Sequence, residues 1–134
     1  LVVAQQPVQL NRDQVVAARK HGDRLELFVN GEAIATSPIN YPLAPSSASL
    51  FIGGVPPGHL PLDQGTRFFQ GTVSLVRISG GDSAGAFAVR AGEFTARPDT
   101  LALFDFRNGS GTAITDLSSH HWKATLRGAR WSDE

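Results

Sequence analysis

The stretch RLELFVNGEAIA, residues 24–35, decides the fold expected for this chain. Before its centre, Leu, Leu and Val occupy alternate positions, which is the period-2 pattern of a strand with one buried face. Asn30 and Gly31 follow, and this pair best tolerates the positive φ that both central residues of a type I′ turn require. Apolar residues resume directly after the turn. The stretch therefore predicts a β-hairpin.

Further strand-like segments follow one another along the chain, separated by polar turns. They are a weak edge strand over 1–10, QVVAARK (14–20), SLFIGG (49–54), RFFQGTVSLVRIS (67–79), LALFDF (101–106), TAITDL (112–117) and ATLRGARW (124–131). In the segment 67–79 the alternation slips, which predicts a β-bulge near Ser74 or Leu75. A helical turn is expected between Ala84 and Arg90. Short strands at a spacing of about ten residues predict an all-β, antiparallel sandwich or barrel.

Length and composition limit the classes of protein that the chain can represent. Its 134 residues fit one domain, residues 1–134. Because 12 basic residues balance 12 acidic ones, no electrostatic case for binding nucleic acid exists. No stretch reaches the roughly 18 apolar residues of a membrane span. The absence of cysteine excludes a disulfide framework and a thiolate site.

The first residues, LVVAQQPVQL, lack the basic start and the long apolar core of a signal peptide. Methionine is absent throughout, including at position 1. We therefore expect the chain to be a processed or excised product of a longer one.

Four segments in order resemble a known family. HGDRLELFVNGEAIA, SLFIGG and FFQGTVSLVRIS resemble the second half of laminin-G-like, concanavalin A-like jelly-roll domains. LALFDFRNGSGTAITDLSS with the later GARW is similar to a segment of many bacterial secreted members. The resemblance implies a jelly-roll β-sandwich that is secreted or at the cell surface. Because full domains have strands before the position of residue 14, it also implies a sandwich incomplete at its N-terminus, or one completed by a partner chain.

The chain departs from the family in the loop after Asp116. Ser119, His121 and Ala124 stand where family members commonly have glycine. A positive φ is costly for residues with a side chain, so we expect this loop to take another shape.

The loop also holds the most unusual local chemistry, His120-His121-Trp122. The imidazoles are candidates for binding a metal or a ligand, and Trp122 is a candidate for stacking on a sugar ring. Adjacent residues of an extended chain point to opposite sides, so two neighbouring histidines rarely serve one metal. The simpler interpretation is a solvated loop.

A second group, Asp105, Asn108 and Asp116, brings oxygen atoms to a glycine-rich turn. Calcium prefers six to eight oxygen ligands, and the family resemblance makes a structural calcium at these residues a prediction. The alternative is that Asp116 and Asn108 stabilise turns by accepting nearby backbone N–H groups.

Two proline-rich loops carry the remaining ligand candidates, Tyr41 in one and His59 with Asp63 in the other. Loops at the end of a sandwich are where binding usually occurs. The alternative is a connection stiffened by proline that binds nothing. Trp131 resembles the closing aromatic residue of the family and is expected in the core.

No recognisable acid–base pair supports catalysis. Glu26 and Glu32 flank the hairpin turn without a third carboxylate, and retaining glycoside hydrolysis needs two carboxyl groups about 5 Å apart. Asp116, Ser118 and His120 lie close in sequence, whereas catalytic triads assemble from separated loops. We therefore expect a protein that is not an enzyme.

Three functional hypotheses remain open on the sequence. The first is a non-catalytic extracellular module that recognises carbohydrate or glycoprotein, and it depends mainly on the family resemblance. The second is a protein-interaction or assembly subunit, or a processed fragment of a larger exported protein. The third is a hydrolase remnant. Exposed aromatic residues would favour the first, an open apolar face the second, and two facing carboxylates the third.

Overall fold

The structure is a computed structural model, and the residues it describes are 3–5, 7–40, 42, 46–55, 67–81, 95–107 and 109–132. Within these ranges the chain forms β-strands and no helix, and every strand pair is antiparallel. The all-β antiparallel class predicted from the sequence is confirmed. In the described part of the chain, no helix is long and apolar enough to cross a membrane.

The strands form one three-stranded meander and three two-stranded sheets, paired as β1-β2-β3, β4-β5, β6-β7 and β8-β9. Their bounds are β1 Val16–His21, β2 Arg24–Val29, β3 Glu32–Pro38, β4 Gly54–Val55, β5 Arg67–Phe68, β6 Leu75–Ser79, β7 Thr100–Asp105, β8 Ala113–Thr115 and β9 Lys123–Thr125.

The hairpin predicted at residues 24–35 is confirmed as β2 and β3. Asn30 and Gly31 have φ values of 50° and 85°, as the two central residues of a type I′ turn require. The turn also anchors β1, because the Asn30 N–H donates to the Val15 carbonyl at 2.8 Å and Asn30 Oδ1 accepts the Val15 N–H at 2.9 Å. Asn30 therefore stabilises the turn and the start of the neighbouring strand together.

One face of the meander is held by contacts between β1 and β2. Arg19 and Glu26 are register partners, and the Arg19 guanidinium lies 2.8 Å from the Glu26 carboxylate. The same guanidinium lies over the Phe28 ring at 5.2 Å from its centroid. Phe28 is buried. The side chains across the two strands thus combine a charge pair, a cation–π contact and apolar burial.

The second buried region is centred on β7. Three consecutive residues, Ala102, Leu103 and Phe104, are all buried. β6 pairs with one edge of β7. The segment after β8 lies at the other edge, where Phe104 bridges to Asp116 and the Leu117 N–H donates to the Leu103 carbonyl at 2.8 Å. β7 is therefore paired along both of its edges, and its buried residues include neighbours that point to opposite faces.

The long strand predicted over 67–79 is divided in the structure into β5 and β6. Gly71 lies between them with a φ of 156°, and the Phe69 ring covers it so closely that a Cβ there would lie 2.7 Å from Phe69 Cζ. β5 pairs with β4 and β6 pairs with β7, so two short strands of different sheets stand in place of the one long strand predicted. An irregularity in β6 does occur, between Ile78 and Ser79.

The buried strand predicted over 49–54 is also wrong for most of its length. Pairing with β5 begins only at Gly54, which lies opposite Phe68. Leu50, Phe51 and Ile52 precede this point and remain exposed. The described residues of 1–10 form no strand, and the helical turn expected between Ala84 and Arg90 lies outside the described residues.

The sheets are small, and among the described strands only β7 and β8 bring Cα atoms of different sheets within 8 Å of each other. The jelly-roll sandwich therefore stays a prediction, as does its single-domain extent.

We expect Asn30→Ala to cost about 2 kcal/mol and Asn30→Gly about 1 kcal/mol of the free energy of unfolding. Both variants lose the side-chain acceptor of the Val15 N–H, and only alanine is also strained by the positive φ. Urea unfolding followed by far-ultraviolet circular dichroism measures both values. Equal stability of the two variants would contradict the role given to backbone conformation at this turn.

Candidate functional site

Asp116 organises the loop between β8 and β9, and only 1% of its surface is exposed. Its Oδ1 accepts the N–H groups of Leu103 at 2.8 Å and Ser118 at 2.9 Å. Its Oδ2 accepts the Ser118 hydroxyl at 2.7 Å and the Trp122 N–H at 3.0 Å. One carboxylate therefore joins β7, the start of the loop and the residue just before β9.

The ionised form of Asp116 is strongly favoured. Burial opposes ionisation, but the four hydrogen bonds from Leu103, Ser118 and Trp122 outweigh it and hold the pKa of this carboxyl well below its ordinary value. A carboxylate with about four lone-pair sites and four donors has no acceptor capacity left over.

Trp122 is fixed at two points and still exposed. Its backbone N–H is bound by Asp116, and its indole Nε1–H donates to the Leu101 carbonyl at 3.0 Å. Even so, 59% of its surface is exposed. The backbone N–H and the indole N–H of Trp122 are therefore both satisfied within the chain, while most of the ring faces solvent.

The His120 imidazole lies parallel to the Trp122 indole, with an interplanar angle of 4° and a centroid separation of 6.0 Å. Between them, His121 has a φ of 51°. Histidine is one of the few non-glycine residues enriched in the left-handed region. Of the three positions where family members have glycine, His121 thus keeps a left-handed backbone, while Ser119 and Ala124 do not.

We call the two exposed rings of His120 and Trp122 the aromatic platform. The sequence pointed to both residues, and the structure brings them together on the same side of the loop. The sequence could not predict that the Leu101 carbonyl accepts the indole N–H, because a backbone acceptor has no signature in the sequence.

Asp105 lies at the other end of β7 and is paired with Arg107. The Arg107 Nε–H and backbone N–H donate to Asp105 Oδ1 at 2.9 and 3.0 Å, and the guanidinium also contacts Oδ2. These bonds lower the pKa of Asp105, the side-chain bond from Arg107 contributing most. Asp105 therefore carries a charge that its neighbour balances.

The calcium predicted at Asp105, Asn108 and Asp116 stays a prediction. Donor groups of the chain occupy both Asp116 oxygens, and Arg107 engages both Asp105 oxygens. Asn108 lies outside the described residues. Among the residues that are described, no group of three or more His, Asp or Glu side chains is placed to hold a metal. In the structure Asp116 accepts the backbone N–H groups of Leu103, Ser118 and Trp122.

The remaining ligand candidates, Tyr41, His59 and Asp63, also lie outside the described residues. Of the two glutamates flanking the hairpin turn, Glu26 is paired with Arg19, and Glu32 is exposed.

Trp131 is half-buried rather than exposed. Its Nε1–H donates to the Gly111 carbonyl at 2.7 Å, and its ring centroid lies 6.4 Å from that of Phe106. It also packs on Gly109, where a Cβ would overlap the Trp131 ring. Trp131 is not among the buried residues of the described chain, so the core role expected for it stays a prediction. The same ring lines a pocket that sequence reasoning missed, because its walls come from separated segments.

Comparison of the chain with models of protein families, with curated proteins and with solved structures finds no match in any of the three.

We expect Asp116→Asn to cost about 3 kcal/mol or more of the free energy of unfolding, because an amide turns two of four acceptor sites into donors that face other donors. The wild-type stability that depends on Asp116 is fully present above the ordinary carboxyl pKa of 3.8 and is lost progressively as the pH falls below it. The variant therefore loses part of this acid dependence. Urea unfolding between pH 7 and pH 2 measures it.

The matched control is Asp23→Asn, on the exposed turn between β1 and β2. This variant should unfold as the wild type does at neutral pH. An Asp116→Asn protein as stable as this control would show that the buried carboxylate does not organise the loop.

Proposed function

We propose that the protein is a non-catalytic recognition module that binds carbohydrate or glycoprotein outside the cell, with the aromatic platform as its contact surface. The observation that supports the proposal is the exposure of Trp122. Its indole is held by a hydrogen bond to the Leu101 carbonyl, and 59% of its surface faces solvent. Both of its N–H groups are already bound within the chain, so its free surface is apolar. Such a surface suits the C–H face of a sugar ring.

Preorganisation is the physical advantage of this arrangement. A side chain that is free in the unbound protein loses conformational entropy when a ligand fixes it, at about 0.5–1.5 kcal/mol for a rotamer-rich group. The two hydrogen bonds of Trp122 and the parallel His120 ring fix the platform before a ligand arrives. More of the stacking energy then contributes to affinity.

The concanavalin A-like jelly roll, the secreted or cell-surface location and a structural calcium form part of the same proposal. They depend on the resemblance of the four sequence segments, and the antiparallel β-class agrees with the jelly roll alone.

We expect Trp122→Ala to weaken glycan binding tenfold or more, about 1.4 kcal/mol, because it removes the apolar surface on which the sugar stacks. A glycan array identifies the ligand, and isothermal titration with that ligand measures the change. Phe69→Ala is the matched control, since Phe69 has a similar exposed fraction of 58% and lies outside the platform. Unchanged binding by the Trp122 variant would refute the platform as the contact surface.

A second candidate function, a protein-interaction or assembly subunit, is favoured by a separate observation. Large apolar side chains are exposed on the two segments that meet at β4 and β5, namely Leu50, Phe51, Ile52, Phe68 and Phe69. The Phe69 N–H donates to the Gly53 carbonyl at 2.7 Å, so the two segments lie side by side. Apolar side chains grouped in this way favour contact with another protein chain.

For this second function, Leu50→Ser with Phe68→Ser should shift the protein from a larger species to one of 14.3 kDa, because it removes two apolar contacts of the cluster. Sedimentation velocity and native mass spectrometry measure the species present. A wild-type protein that is already monomeric at high concentration, alone and with material from its source, would count against assembly.

A further inference from the structure

A pocket of about 250 Å³ lies beside the turn that joins β7 to β8. Its lining combines apolar and polar groups, and those that matter here are Trp131, Leu117, Ile114, Asp105, Ser110 and Thr115. A lining that mixes aromatic and aliphatic walls with hydroxyls and a carboxylate suits a ligand that is itself amphipathic.

The aromatic wall of this pocket is rigid. The Trp131 indole is bound to the Gly111 carbonyl at 2.7 Å and rests on Gly109, which has no side chain to push it away. Phe106 supports the indole at a centroid distance of 6.4 Å. The pocket therefore has a fixed apolar surface, and its shape does not depend on a ligand to order Trp131.

The polar side of the pocket carries no net charge. Asp105 has 23% of its side chain exposed, and Arg107 binds both of its oxygens. A carboxylate neutralised in this way still accepts a hydroxyl, but it gives little attraction to a cation and disfavours an anion. Ser110 and Thr115 add hydroxyls that donate and accept. The pocket thus fits an uncharged ligand with several hydroxyl groups.

The volume limits the size of the ligand. A water molecule occupies about 30 Å³ in the liquid, so the volume of the pocket equals that of roughly eight waters. It is also smaller than the roughly 300 Å³ at which pockets for drug-sized ligands begin. One six-membered ring with its hydroxyl groups fits these limits, whereas a longer oligomer would have to extend into solvent.

We infer that the Trp131 pocket is a second binding site, which takes a single neutral sugar ring with its C–H face against Trp131 and its hydroxyls toward Asp105. This site is separate from the aromatic platform. The platform is attached to the Leu101 end of β7 and the pocket to the Asp105 end, four residues or about 13 Å along the strand.

The chain suits a direct test, because it has two tryptophans, one in each proposed site, and each indole N–H is bound to a backbone carbonyl. The two indole signals of the ¹⁵N-labelled protein are assigned with Trp122→Phe. The protein is then titrated with glucose, galactose, mannose and N-acetylglucosamine to about 100 mM, a range that suits millimolar dissociation constants. Ser110→Tyr blocks the pocket at an exposed turn, and Ser47→Tyr adds the same side chain at an exposed position outside it.

The expected result is a saturable shift of the Trp131 indole signal and of the Ser110 and Thr115 amides with at least one sugar. Ser110→Tyr should weaken this binding tenfold or more, and Ser47→Tyr should leave it unchanged. No saturable shift of Trp131 with any of the sugars, or the same shift in Ser110→Tyr, would overturn the inference.

The two indole signals also separate this inference from the proposed function. A shift of Trp122 alone would leave the aromatic platform as a sugar site and refute the pocket. A shift of Trp131 alone would support the pocket and count against the platform. Because the wild-type titration is decisive by itself, the test does not depend on the folding of Ser110→Tyr.

Discussion

The Asp116 carboxylate is the interaction on which the rest of the β7–β9 region depends. A buried charge is tolerated only when hydrogen bonds replace the water it has lost. Here four donors from three residues meet one carboxylate, and they come from a strand, a loop and the residue before the next strand. Because the donors are separated in sequence, the charge fixes the relative positions of segments that apolar packing alone would leave free to shift.

The exposed surface of this region follows from the buried carboxylate. By binding the Trp122 backbone, Asp116 sets where that residue leaves the loop, and the Leu101 carbonyl then sets the direction of its ring. The left-handed backbone of His121 brings His120 alongside the indole. The backbone and the ring of Trp122 are thus positioned by different groups, Asp116 and the Leu101 carbonyl.

The two tryptophans are held by the same kind of hydrogen bond, although Trp122 is exposed and Trp131 is half-buried. Each indole donates to a backbone carbonyl, Trp122 to Leu101 and Trp131 to Gly111. Trp131 is in addition packed against Phe106 and Gly109, so only part of its surface is open. A tryptophan whose N–H is satisfied presents carbon atoms alone, and this makes both rings suitable for an apolar ligand face.

The sequence by itself determined the local features of this protein. Asn30-Gly31 specified the hairpin because few residue pairs tolerate two positive φ values. Alternation predicted β2, the turn after residue 20 favoured a strand at β1, and the segment 101–106 predicted β7. These features are local, because the conformation of a turn or of one strand depends mainly on neighbouring residues. The prediction failed at 49–54 and 67–79, where the apolar pattern was present but pairing was limited to Gly54–Val55, Arg67–Phe68 and Leu75–Ser79.

Only the tertiary structure decided what the candidate residues do. Asp116 was a metal candidate in the sequence, and the structure surrounds it with four donors that come from positions as far apart as Leu103 and Trp122. Trp131 was expected in the core, and the structure leaves it half-buried in the wall of a pocket. The identity of an aspartate or a tryptophan in the sequence does not say whether its side chain faces a metal, a backbone amide or a ligand. Its role is set by groups distant in the chain, whose positions arise only when the strands pair.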